Sequence, residues 1–222
     1  VIESRGLGDV YKRQPMGGQG IDMLVPTLLE LGTEQQKEKY IKPTLHGEMI
    51  WCQGYSEPNA GSDLASLQTK AELVNGEWVI NGQKIWTSTA QYAHMMFCLV
   101  RTEPDASKHA GISYLLIPMD TPGIEIRPLV DMTLKAGFNE VFFTDVKIPE
   151  TNIVGSRGEG WAVANATLGH ERGSLAPPDA IMSRLNTLIE LMQQETLDGK
   201  PLSDDSIYSC LLYTSDAADD DV

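Results

Sequence analysis

WCQGYSEPNAGSDLASLQTKA, residues 51–71, is the stretch from which the fold is read. Its turn formers Pro58, Asn59, Gly61, Ser62 and Asp63 follow a short strand-like run, so the plainest reading is a tight loop at a sheet edge. A functional reading stands beside it. Small residues let a flat or phosphorylated ligand approach the backbone, and the Ser56 and Ser62 hydroxyls can donate hydrogen bonds to it. Downstream, KIWTS at residues 84–88 offers the same choice. Trp86 is either an ordinary core aromatic or an indole that covers an aromatic ring system, with hydroxyl residues beside it.

Outward from this stretch the chain falls into three zones. Residues 49–154 read as strands: short apolar or β-branched runs recur at MMFCLVRT, ISYLLIPM, IEIRPLV and EVFFTDVKI, and Asn75-Gly76 and Asn81-Gly82 are hairpin-turn signals flanking EWVI. Strands this short and frequent predict a small β-barrel or sandwich. Residues 21–47 read as helical. IDMLVPTLLEL carries a helical apolar repeat, Gly32 ends it, and Thr33 with Gln36 forms a capping box for the next helix. Pro26 and Pro43 predict kinks or early stops there. After residue 155, GWAVANATLGHERGSLA and IMSRLNTLIELMQQE return to helical periodicity, interrupted by Pro177 and Pro178.

Both ends read as foreign to a protein. DVYKRQ (9–14) and CLLYTS (210–215) are what one DNA duplex encodes when read in opposite directions. That pair resembles the transposase adapter of a sequencing library, so the genuine protein is expected to run from residue 15 to residue 209. The formal net charge is −14. The two ends contribute +1 and −4, which leaves −11 between them and no Lys/Arg stripe, so nucleic-acid binding is not expected. No run is long and apolar enough to span a bilayer, and the N-terminus lacks a signal-peptide pattern, so membrane insertion is not expected and a cytoplasmic location is. Cys52 and Cys98 lie in apolar runs and read as reduced core residues. His46, His94, His109 and His170 are scattered without metal-ligand spacing, so no metal is expected. GSRGEGW, residues 155–161, is glycine-rich but follows a strand and precedes the helical zone, so it reads as a turn and not as a phosphate cradle.

Several separated motifs agree on one family. The segment at 51–71, then NGQKIWTSTAQYAHMMFCLVRT, GISYLLIPMDTPGIEIRPL and NEVFFTDVKIPETNIVG, resembles the β-domain of the acyl-CoA dehydrogenases in order and spacing. The resemblance runs from GTEQQKEKY to GHERGSLA, residues 32–176. Tyr55 replaces the small aliphatic usual in the family's signature, and with WCQG this looks like the branch of pimeloyl-CoA and steroid side-chain dehydrogenases.

The resemblance implies an α+β multidomain fold. The expected parts are the end of an N-terminal helical domain (15–48), a β-barrel domain for FAD and substrate (49–155) and the truncated start of a C-terminal helical bundle (156–209), with adapter sequence at 1–14 and 210–222. It implies FAD as cofactor, with Ser56 at the flavin ring edge, Trp86 stacked near the isoalloxazine and Ser88 bonded to flavin N5. Ser62 would line the cleft where the FAD pyrophosphate and the acyl-CoA arm pass. Taken alone, Glu171-Arg172 reads as a solvated surface pair. By resemblance Arg172 faces the CoA ester, and Glu171 is the candidate base that removes the α-proton of an acyl-CoA thioester to give a trans-2-enoyl-CoA. Electron-transfer flavoprotein would take the electrons, and the full-length protein is expected to be a homo- or hetero-oligomer. The fragment alone is expected to be inactive. A flavin monooxygenase or acyl-CoA oxidase on the same scaffold, and a non-catalytic subunit of a heteromer, are the alternatives.

Overall fold

A computed structural model describes residues 18–175 and 178–210. The two adapter-like ends therefore lie outside the described residues, apart from Cys210. Two compact units divide the chain, Val1–Glu171 and Arg172–Val222.

In the first unit a π-helical turn, Gly20–Leu24, runs directly into α1, Val25–Leu31. Pro26 occupies the start of α1, where a missing N–H costs little, and the expected irregularity appears as the π-turn before it. Gly32 caps α1 through its N–H to the Leu28 carbonyl at 2.9 Å. Helix α2, Glu34–Leu45, opens with the expected capping box: Thr33 accepts from the Gln36 N–H, and Gln36 accepts from the Thr33 N–H. The Gln36 amide then donates to the carbonyls of Thr151 and Ile153, so one side chain both starts α2 and docks it onto the sheet. Pro43 stays inside the last turn of α2, which ends two residues later.

Eight strands follow: β1 Trp51–Gly54, β2 Lys70–Val74, β3 Glu77–Lys84, β4 Met95–Arg101, β5 Ile112–Pro118, β6 Ile124–Leu129, β7 Phe138–Pro149 and β8 Ile153–Val154. They form one sheet in the order β6-β7-β3-β2-β4-β5-β8, with β1 parallel to β4. Strands β1 and β2 both pair with β4, β1 along Met95 to Cys98 and β2 at Arg101. Residues 55–69 are thus an excursion that leaves the sheet beside β4 and returns beside it. The period of two along β4 and β5 splits their side chains between two cores. Phe97, Leu99, Ile112, Tyr114 and Leu116 pack with Met23, Leu24, Leu28 and Tyr40 of the helices, while Met96, Cys98, Val100, Leu115 and Ile117 join Trp78, Ile80, Val141 and Phe143. Strands β5 and β7 share this second cluster although β3, β2 and β4 separate them, so the expected barrel is a sheet curled over its own core.

Asn75-Gly76 forms the expected β2–β3 turn, both residues having positive φ (54° and 81°). Asn81-Gly82 does not form a turn. It lies inside β3 at a register shift against β7, and a Cβ on Gly82 would stand 2.5 Å from the Thr69 hydroxyl oxygen. Pairing along the whole of β3 outweighs the local turn preference, and the glycine is used for a bulge. Asn81 completes it by exchanging hydrogen bonds with Asp145 on β7.

Helix α3, Gly160–Leu175, begins against this sheet: Val163 and Ala164 enter the first core, and the Thr167 hydroxyl bonds the Thr27 hydroxyl of α1 at 3.0 Å. The second unit holds α4, Pro178–Gln194, and a hairpin of β9 (Thr196–Leu197) and β10 (Lys200–Pro201). Met192 of α4 is buried, whereas Ile181, Met182, Leu188 and Leu191 are exposed. No helix among the described residues is long and apolar enough to cross a membrane.

Candidate functional site

The two motifs singled out in the sequence meet in space. The Ile85 N–H donates to the Ser56 carbonyl at 2.9 Å, which sets KIWTS alongside the start of the 55–69 excursion. On the far side, Thr87 and Asn139 exchange backbone hydrogen bonds at 3.0 Å, and the Asn139 amide also donates to the Thr87 carbonyl. Held from both sides, the backbone adopts φ = 60° at Trp86, and this breaks the strand alternation. The indole is consequently displayed, 61% exposed, and meets the ring of Phe138 edge-on at 5.9 Å between centroids. The core-aromatic reading of Trp86 is therefore wrong.

Ser56 and Ser88 are half-buried, and among the described residues their hydroxyls make no hydrogen bond to protein. Ser62 is exposed at the tip of the excursion, and a Cβ on its neighbour Gly61 would meet open space. Beside it Asp63 is held below the usual carboxylate range by hydrogen bonds from Lys108 and Ser66, the Lys108 ammonium lying 2.6 Å from both carboxylate oxygens. A displayed indole, with two serine hydroxyls in the same pair of motifs that make no hydrogen bond among the described residues, fits a planar, hydrogen-bonding group such as a flavin.

Sequence reasoning missed the pair beneath this surface. Lys84 is fully buried and Glu57 nearly so, and their charged groups are 2.8 Å apart. Burial alone would raise the Glu57 carboxyl, but Lys84, together with hydrogen bonds from Gln68 and Thr69, holds it below the usual range. Both residues stand inside the quoted motifs, and the one legible signal was a carboxylate and an ammonium in otherwise small or apolar surroundings.

Glu171, half-buried, is the last residue of the first unit on α3, and its charge acts on the Tyr55 hydroxyl, which burial pushes far up. Tyr55 packs edge-on against Phe97 and Tyr114, themselves stacked at 6.0 Å, so it belongs to the core that α3 also enters. Arg172 belongs to the second unit and is exposed. His170 is half-buried, its Nε2 lying 3.6 Å from a carboxylate oxygen of Glu30 on α1. Among the described residues no group of three His, Cys, Asp or Glu is placed to hold a metal ion.

The family model for the acyl-CoA dehydrogenase middle domain matches residues 52–146. Acyl-CoA dehydrogenase IpdE1 of Mycobacterium tuberculosis is 48% identical over 185 residues, 82% of this chain and 48% of that protein. The chain spans about half the length of IpdE1 and about a quarter of FadE34 from the same organism. Among solved structures, the Tcur3481-Tcur3483 steroid ACAD G363A variant matches with TM-score 0.70 and 37% identity, covering 77% of this chain and 44% of that one. The ChsE4-ChsE5 complex from Mycobacterium tuberculosis matches at 0.69 and 35%, covering 89% and 51%. PigA with FAD and proline matches at 0.77 and 25%, covering 90% and 53%.

Proposed function

Since residues 52–146 are an acyl-CoA dehydrogenase middle domain, we propose that the complete protein containing this chain dehydrogenates an acyl-CoA thioester between its α and β carbons, with FAD as cofactor. FAD, when bound, supplies the acceptor for the hydride leaving the β carbon. The observation that carries the reading is the displayed Trp86 indole, in a motif whose Ile85 N–H bonds the Ser56 carbonyl, together with Ser56 and Ser88 hydroxyls that make no hydrogen bond among the described residues.

The residues divide the work. Trp86 offers an aromatic face, and Ser56 and Ser88 offer hydroxyl donors to a ring system lying on it. Ser62, exposed on the excursion, contacts the pyrophosphate and the acyl-CoA arm. Glu171 takes the α-proton as general base, and Arg172, next along α3, binds at the CoA ester. A trans-2-enoyl-CoA is the product, and electron-transfer flavoprotein the electron acceptor. The steroid ACAD and the ChsE4-ChsE5 complex among the similar structures favour a steroid or lipid acyl group and assembly with a second related chain.

The test is spectroscopic. The holoenzyme should carry a yellow chromophore that an acyl-CoA bleaches, and Glu171→Gln should keep the chromophore and lose the bleaching. Undiminished bleaching in that variant overturns Glu171 as base, and a colourless holoenzyme overturns the flavin reading.

A further inference from the structure

Lys84 is fully buried and Glu57 nearly so, yet each sits one residue from a candidate flavin contact or its anchor: Glu57 follows Ser56, and Lys84 precedes Ile85. The Glu57 carboxylate accepts hydrogen bonds from the Lys84 ammonium at 2.8 Å and from the backbone N–H groups of Gln68 at 2.6 Å and Thr69 at 2.9 Å. The same ammonium donates to the Tyr55 carbonyl at 3.1 Å. One buried pair therefore ties together the beginning of the excursion, its end and the last residue of β3.

Stability does not explain the pair. Taking two ions out of water costs several kcal/mol per ion, and well-packed apolar replacements of buried pairs are often neutral or stabilising. What an ion pair has and an apolar contact lacks is direction: besides the bond between the two side chains, the pair's three other bonds end on named backbone atoms, the Gln68 and Thr69 N–H groups and the Tyr55 carbonyl. Without it, residues 55–69 keep the Ile85–Ser56 hydrogen bond at one end and the Arg101 guanidinium on the Ala65 and Leu67 carbonyls near the other. Those contacts hold the Ser56 carbonyl and the Ala65–Leu67 stretch, but none of them joins Glu57, the residue after Ser56, to the returning Gln68–Thr69 backbone.

Resting on the flavin reading above, we propose that Glu57 and Lys84 are positioning residues. They lock the register of the excursion against β3, so that Ser56, Trp86 and Ser88 present one preformed surface to the flavin. Neither residue touches it.

The experiment is made on the holoenzyme, with Glu57→Gln/Lys84→Met as the principal variant, since it removes both charges and leaves no unpaired ion. It should fold with an unchanged far-UV spectrum, yet bind FAD at least tenfold more weakly, with the absorption envelope of bound flavin shifted toward that of free FAD. A folded double variant with FAD affinity within twofold and an unchanged envelope overturns the proposal. Hydrogen exchange on the unmodified protein tests it should the variant not fold. The amides of Gln68, Thr69 and Ile85 should slow together when FAD is added; slowing at Ile85 alone overturns it. If the unmodified protein takes up no FAD at all, the flavin reading falls, an outcome distinct from a variant that binds as the parent does.

Discussion

The Trp86 indole meets the Phe138 ring edge-on, 5.9 Å between centroids and 86° between planes. Phe138 opens β7 and is itself exposed, so the pair stands at the surface and contributes little to the core. An aromatic held out of the core by a left-handed backbone is built for a contact made with something else.

Trp86→Ala therefore separates site from scaffold. The loss of a partly exposed edge contact should cost about 1 kcal/mol or less in urea denaturation, while FAD affinity should fall by about tenfold. A large stability loss with unchanged affinity would assign Trp86 to the scaffold.

Glu57 makes stability depend on acid. Its folded carboxyl titrates below its unfolded one, so the unfolded chain takes up the proton first as pH falls. The contribution is complete above the usual carboxylate value of about 4.3 and disappears as pH drops through the lowered folded value. Glu57→Gln should cost about 3–5 kcal/mol at pH 7 by leaving Lys84 buried and unpaired, and should shrink the fall in urea midpoint between pH 6 and pH 3. An identical acid slope in parent and variant would show that Glu57 is not one of the carboxylates responsible.

Gly82→Ala tests the bulge in β3. At φ = 153°, with Thr69 in the way, the added methyl should cost about 1–3 kcal/mol, read as a lower urea midpoint at constant slope. Gly61→Ala, where a Cβ meets nothing in the chain, is the comparison and should be nearly silent toward folding.

The strand cysteines should be chemically silent. Burial pushes the Cys98 thiol up to about 11, with Lys84 lowering and Glu57 raising it, and burial pushes Cys52 higher still. At pH 7 the Cys98 thiolate is on the order of one part in ten thousand. Iodoacetamide should leave both unmodified until urea unfolds the chain, and mass spectrometry of the native protein carrying either adduct would contradict the buried placement.

Much of the architecture was legible in the sequence because it is written locally. Thr33 and Gln36 cap α2 within four residues, Asn75-Gly76 turns β2 into β3 through two adjacent left-handed positions, and the apolar runs at 95–101 and 112–118 alternate between two cores. Asn81-Gly82 carries the same local signal and was misread, since cross-strand pairing with β7 holds that segment extended. The motifs at 54–63 and 84–88 marked a candidate site; tertiary structure decided how that candidate is held. Glu57 and Lys84 are 27 residues apart, and nothing local in the sequence pairs them. Only when β1 and β2 take places along β4 does the excursion fold back onto the end of β3, excluding water from both groups and leaving each as the other's partner. Backbone preference acts over a few residues, whereas burial of a charge depends on strands that meet from far apart in the chain, so the first could be read and the second had to be seen.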